Sequence, residues 1–125
     1  MNKILVLIFL MLSVNSQANS NWTYVATNVS ADEFFIEQNS IQKDGDSVTF
    51  WLRRNFANRS KDGDLSEKAQ RTINCRRRED ILRYIQTYDD INNAGRQTLS
   101  FKANESWHPI PPDTVMWSIM KIVCK

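Results

Sequence analysis

The side chains that could carry catalysis are few and poorly grouped in this sequence. His108 is the only histidine, and no Gly-x-Ser-x-Gly or comparable nucleophile elbow accompanies it. Two pairs of carboxylates, Asp89 with Asp90 and Asp44 with Asp46, lie in predicted turns, where aspartate commonly bonds to the backbone. With three glycines in the chain, no phosphate-binding glycine loop is present. The sequence therefore predicts a protein that is not an enzyme and uses no cofactor.

The two cysteines, Cys75 and Cys124, predict a disulfide rather than a metal site. Two cysteines and one histidine do not fill a zinc site at any familiar spacing. In an oxidising compartment, two cysteines allow a single connectivity. The bond would attach a predicted C-terminal helix to the middle of a sheet. Closing a loop of about 50 residues contributes roughly 4 kcal/mol to the free energy of unfolding.

The N-terminal residues predict export. Lys3 is followed by an apolar run over residues 4–12 and then by small and polar residues, which is the pattern of a secretory signal peptide over residues 1–18. The run is shorter than the roughly 20 residues that a membrane span needs. We therefore expect no transmembrane span. Because no cysteine follows the run, we also expect no lipid anchor. Residues 19–125 are then a single exported domain, located in the periplasm, on the outer surface or in the medium.

The charge balance excludes a strong general attraction to polyanions. The 125 residues carry 16 Lys and Arg against 14 Asp and Glu, a formal net charge of +2. The electrostatic field of so small a net charge does not direct a protein to nucleic acid or to a membrane. Cationic residues also do not alternate with aromatic ones as in single-strand binders, so no nucleic-acid partner is expected.

Positive charge is nevertheless clustered in one stretch of the sequence. The candidate binding residues are Lys68, Arg71, Arg76, Arg77, Arg78 and Arg83. Strand alternation over residues 65–78 would place Lys68, Arg76 and Arg78 together on the solvent face. Such a face can pair with carboxylates or sulfates of a partner. The alternative is an ordinary solvated strand face balanced by neighbouring acids such as Glu67 and Glu79.

The hydrophobic pattern predicts several strands. They cover residues 22–28, 34–38, 47–56, 65–78 and 96–103, and Gly45 marks a hairpin turn. In the third strand, Val48, Phe50 and Leu52 share one face, and Trp51 and Arg53 lie on the other. Residues 79–88 suit a strand and a helix about equally, so the total number of strands in the sheet stays open.

A helix is predicted at the C-terminal end of the sequence. Apolar residues recur there at three- and four-residue spacing, at Met116, Ile119, Met120 and Val123. Asp113 is the predicted N-terminal cap. Several strands and one helix joined by a disulfide amount to an α+β domain.

Short motifs along the chain resemble those of the surface-adhesin protein E family of small exported bacterial proteins. They are Trp22, Phe35-Ile-Glu-x-x-Ser40-Ile, Val48-x-x-Trp51, Asn74-Cys75 followed by arginines, Trp107-x-x-Ile110-x-Pro112 and Val123-Cys124. The resemblance implies an antiparallel sheet, here of about five to six strands, with the C-terminal helix packed on it and held by the Cys75–Cys124 bond.

The same resemblance implies a binding protein that contacts host extracellular-matrix or serum proteins. Laminin, vitronectin and plasminogen are the partners expected on this basis, and the clustered basic residues add sulfated glycans as a further partner. The alternative is a periplasmic structural or envelope-stress protein without an adhesive role, and an inhibitor of an exported hydrolase is a weaker one. A homodimer formed through sheet edges is compatible with each.

Overall fold

The computed structural model describes residues 21–125, so the predicted signal peptide at residues 1–18 lies outside the described residues. The described chain forms an antiparallel sheet and one C-terminal α-helix. The strands are β1 (Trp22–Thr27), β2 (Glu33–Glu37), β3 (Gln42–Asp44), β4 (Ser47–Asn55), β5 (Ser66–Asn74), β6 (Glu79–Tyr88), β7 (Gln97–Lys102) and β8 (His108–Pro109). The helix is α1 (Val115–Val123).

The sheet has eight strands, in the main order β1-β2-β4-β5-β6-β7. Strand β3 adds to β4 and strand β8 adds to β6, each over a short stretch. The predicted α+β fold is confirmed. The main path contains six strands, the upper end of the predicted range of five to six. The two extra strands contain three and two residues, which is too short for an alternating pattern to be visible in the sequence.

Residues 79–88, which the sequence left open, form the strand β6. It pairs with β5 along one side and with β7 and β8 along the other. Ile81 and Leu82 are adjacent and both buried, at 7% exposure each. A strand covered on both faces loses strict alternation, which is why its pattern also suited a helix.

The hydrophobic core lies between α1 and one face of the sheet. Val48, Phe50 and Leu52 of β4 face the helix, as predicted, and Phe50 is fully buried. The helix contributes Ile119, Met120 and Val123 from its apolar stripe. We call this side of the sheet the helix face and the opposite side the open face.

The helix begins one residue later than predicted. Thr114, not Asp113, is its cap: the Thr114 hydroxyl accepts a hydrogen bond from the Trp117 amide at 3.2 Å and donates to the Pro111 carbonyl at 2.8 Å. Asp113 has a φ of 62°, a left-handed conformation that turns the chain into the helix. The prediction that Asp113 caps the helix is therefore wrong.

The predicted disulfide is present and joins the end of the helix to the sheet. Cys75 follows β5 directly and Cys124 follows α1, and their Cα atoms are 5.7 Å apart. The Cys75 amide also donates to the Asp46 carbonyl at 2.7 Å, which ties it to the turn between β3 and β4. The last turn of the chain is held by a further hydrogen bond from the Lys43 ammonium to the Lys125 carbonyl.

A group of charges is partly buried at the other end of the helix face. Arg54 of β4 forms an ion pair with Asp32 at 2.6 Å and lies 3.9 Å from Glu67 of β5. Burial raises the pKa of Glu67 above 4.5, although the positive charges of Arg54 and Arg71 act in the opposite direction. Because ionisation of Glu67 is harder in the folded protein than in the unfolded chain, the charged form lowers stability at neutral pH.

We therefore expect the variant Glu67→Gln to gain stability relative to the wild type as the pH rises. The difference should be smallest below pH 4.5, where Glu67 is protonated in both states, and largest near pH 7. Urea unfolding of both proteins across this pH range measures it. Glu105→Gln, in an exposed segment, is the control. Its difference in free energy of unfolding from the wild type should stay constant across the pH range. Equal pH dependence of Glu67→Gln and the wild type would contradict the prediction.

Candidate binding surface

The six candidate binding residues lie in three different places. Arg76, Arg77 and Arg78 are in the turn between β5 and β6, whereas Lys68 and Arg83 lie on the open face. Arg71 lies on the helix face. The predicted strand over residues 65–78 is too long, because β5 ends at Asn74. Lys68, Arg76 and Arg78 therefore do not share one strand face, and the expectation that they do is wrong.

The turn over Arg76–Arg78, which we call the arginine turn, is the most exposed part of the set. All three side chains are exposed. The Arg76 guanidinium is 3.9 Å from the Asp46 carboxylate, with both side chains largely in solvent. The Arg78 guanidinium lies 5.5 Å from the ring centre of Trp117. Within residues 21–125, Arg77 has no carboxylate within ion-pair distance.

Local hydrogen bonds give the arginine turn a defined shape. The Asn74 side-chain oxygen accepts from the Arg77 amide at 2.9 Å, and the Asn74 carbonyl accepts from the Arg78 amide at 2.8 Å. Arg78 has a φ of 55°, and its carbonyl accepts from the Ile110 amide at 2.9 Å. Together with the adjacent disulfide, these bonds present the guanidinium groups from a fixed backbone.

Arg71 differs from the other five candidate residues because its charge is held in a close ion pair with a buried carboxylate. Its guanidinium forms an ion pair with the Asp80 carboxylate at 2.5 Å, and the Asp80 side chain is only 10% exposed. The register places Arg71 opposite Phe50 and Leu82, two buried residues of the helix face. A binding role for Arg71 stays a prediction, and the ion pair restricts its access to a partner.

The open face carries cations stacked on tryptophan rings. The Arg53 guanidinium is 4.2 Å from the ring centre of Trp22, and the Lys68 ammonium is 4.8 Å from that of Trp51. Arg53 and Lys68 are directly opposite each other across β4 and β5. These cation–π contacts span three strands and fix the charged groups in place.

Trp51 reaches the open face at an irregular point of the sheet. Strand β2 ends before it and a single 3₁₀ turn, Gln38–Ser40, interrupts the edge next to β4. The Ser40 hydroxyl accepts from the Trp51 amide at 2.9 Å and donates to the Glu37 carbonyl at 2.7 Å. The hydroxyl thus replaces the missing strand partner, because a buried amide must be hydrogen-bonded.

Arg53 was placed on this face by the sequence pattern but was not among the candidate residues. Burial lowers the pKa of Arg53 and the carboxylate of Glu37 raises it, and the guanidinium still remains charged. Its Nε donates to the Asn93 side chain at 2.9 Å. Which aromatic ring and which amide meet Arg53 depends on the pairing of strands distant in sequence, so strand alternation alone could not reveal it.

Within residues 21–125 no group of three or more His, Cys, Asp or Glu side chains is placed to hold a metal ion. No helix in this range is long and apolar enough to cross a membrane. What the surface does offer is exposed guanidinium and ammonium groups on rigid supports, which can pair with carboxylates, sulfates or phosphates.

The fold and this surface define a small α+β domain with one disulfide and an exposed basic turn. The profile of the family described as surface-adhesin protein E matches residues 22–125, so the chain belongs to that family. The resemblance noted in the sequence is thereby confirmed, and the family is one of adhesin-like exported surface proteins. Membership in it also favours the predicted non-enzymatic role.

Solved structures of Haemophilus influenzae protein E share the fold. Crystal form II of that protein gives a TM-score of 0.68 at 20% identity, covering 86% of this chain and 90% of that one. A structure of protein E from non-typeable Haemophilus influenzae gives a TM-score of 0.61 at 19% identity, covering 87% of this chain and 78% of that one. No curated protein matches the chain. At these identities the likeness concerns the fold.

Proposed function

We propose that the protein acts at the outer surface of the cell, or after release from it, as an adhesin-type binding protein whose contact site is the arginine turn. The partners that we propose are acidic segments of extracellular-matrix or serum proteins, with laminin, vitronectin and plasminogen as the first candidates, and sulfated glycans. The observation that carries the proposal is the projection of three consecutive exposed arginines from one fixed turn.

The geometry of the turn suits recognition of oxyanions. A guanidinium group presents paired donors that match the two oxygens of a carboxylate or sulfate, and such charge-assisted bonds are stronger than neutral ones. Because the Asn74 hydrogen bonds and the Cys75–Cys124 disulfide already hold the backbone, binding orders fewer groups than it would on a mobile loop. Lys68 and Arg83, held over aromatic rings on the open face, add positive charge outside the turn.

We expect the double variant Arg76→Glu, Arg77→Glu to bind these partners at least about tenfold more weakly. The loss of even one charge-assisted hydrogen bond of about 1.5–3 kcal/mol accounts for that factor. Surface plasmon resonance of the oxidised domain on laminin, vitronectin, plasminogen and heparin, at low and high salt, measures it. Binding of the wild type should weaken steeply with salt, because exposed charge pairs are screened.

The matched control is Lys61→Glu, Arg96→Glu. It changes the net charge by the same amount but at the other end of β5, about 25 Å away by strand geometry. Equal losses in both double variants would show a general charge effect and contradict a site at the arginine turn. If the wild type binds none of the four partners even at low salt, the adhesive role fails and the periplasmic alternative remains.

A further inference from the structure

A groove on the open face is lined by none of the residues of the arginine turn. It has a volume of about 500 Å³, within the range of sites that hold small organic ligands. Its polar lining comes from the hydroxyls of Ser47, Thr49 and Thr72 and the amide of Gln70. Arg83, Tyr84 and Lys102 form the opposite wall.

A bulge in β6 creates this wall. Gln70 is opposite Tyr84 and Arg71 is opposite Leu82, so Arg83 is the extra residue on β6. A bulge places two successive side chains on one side of a strand. Arg83 and Tyr84 are accordingly both exposed and both line the groove, whereas Leu82 is buried.

Side-chain contacts position the Arg83 guanidinium of the groove before any ligand arrives. The Nε of Arg83 donates to the Thr72 hydroxyl at 3.2 Å, and its guanidinium lies 5.7 Å from the ring centre of Trp107. Lys102 is directly opposite Tyr84 in the register of β6 and β7. Asp44 is the only acid among the described residues that line the groove, so the two cations leave it with a positive charge.

We propose that this groove binds an acidic saccharide, a sugar ring that carries a carboxylate or a sulfate. Arg83 and Lys102 pair with the acidic group, since both present charged donors there. The Thr49 hydroxyl, hydrogen-bonded to that of Thr72 at 2.9 Å, and the Gln70 amide both donate and accept, as sugar hydroxyls require. The half-exposed Tyr84 ring supplies an apolar wall for the sugar.

This inference does not rest on the function proposed for the arginine turn, because no residue of that turn lines the groove. Its test is a titration of the isotope-labelled oxidised domain with glucuronic acid, with glucose 6-sulfate and with glucose, followed by amide NMR shifts. We expect both acidic sugars to shift the amides of Thr49, Thr72 and Lys102. Glucose should bind at least about tenfold more weakly, because it lacks the charge-assisted bonds.

Variants separate this site from the arginine turn. Lys102→Gln should weaken binding of the acidic sugars about tenfold or more without loss of amide dispersion, because its side chain is exposed. Arg76→Gln, Arg77→Gln should leave the affinity of the groove within about twofold, because neither side chain lines it. The proposal is overturned if glucose binds as well as the acidic sugars, if the shifts map outside the groove, or if Lys102→Gln has no effect.

Discussion

Replacing Cys75 and Cys124 together by serine is expected to lower the free energy of unfolding by about 2–5 kcal/mol. The bond joins residues separated by 49 positions, so its removal gives the unfolded chain a large gain in conformational freedom. The folded state also loses the covalent attachment of α1. A helix of nine residues is too short to be stable on its own in water and depends on its packing against the sheet.

Urea unfolding of the oxidised wild type and the double serine variant measures this loss. The control is the wild type with its disulfide reduced, which should unfold at the same urea concentration as the variant. Circular dichroism should show helix signal lost no later than sheet signal in both. A variant within about 0.5 kcal/mol of the oxidised wild type would show that core contacts alone hold the helix.

Asp32→Asn is expected to cost about 3 kcal/mol at neutral pH, because it removes the closer of the two carboxylates that pair with the Arg54 charge. The Asp32 side chain is 8% exposed and accepts two hydrogen bonds from Arg54, at 2.6 and 3.1 Å, and one from the Ala57 amide at 2.9 Å. One carboxylate thus joins the β1–β2 turn, β4 and the loop that follows β4.

The pH dependence of this effect has a defined sign. Burial acts to raise the pKa of Asp32, but the hydrogen bonds from Ala57 and Arg54 and the Arg54 charge outweigh it, so the pKa lies below 3.8. The stability contributed by the carboxylate is present above pH 3.8 and is lost as the pH falls through the lowered pKa. The difference between wild type and variant should therefore be largest at pH 7 and shrink on acidification.

Urea unfolding at pH 7 and at several acidic pH values tests this prediction. Asp62→Asn, in an exposed loop, is the matched control and should change stability by less than about 0.5 kcal/mol. A difference between Asp32→Asn and the wild type that does not depend on pH would show that the ionised carboxylate is not the source of the effect.

Local patterns predicted most of the fold. Alternation in β4 correctly identified Val48, Phe50 and Leu52 as core residues, and helical spacing identified Ile119, Met120 and Val123. Both patterns are visible because each element buries one face only. The disulfide followed from the cysteine count together with the predicted export signal.

Features that depend on pairing between distant strands could not be predicted in this way. The end of β5 at Asn74 reflects side-chain and backbone bonds within the following turn, and the run of arginines gave no sign of it. The bulge that exposes Arg83 exists only in the pairing of β5 with β6. The contacts of Arg53 and Lys68 with tryptophan rings likewise bring together side chains of β1, β4 and β5, and β2 separates β1 from β4 in the sheet.

The position of the disulfide also decides how the domain responds to mechanical load. A pull applied at Lys125 reaches Cys124 and passes through the bond into Cys75 beside the central strand β5. The chain between the cysteines, whose positions differ by 49, cannot be drawn out while the bond lasts, which withholds about 160 Å of extension at roughly 3.3 Å per residue. The helix and strands β6 to β8 are thus shielded from tension, and of the strands within residues 21–125 only β1 to β5 can be stretched.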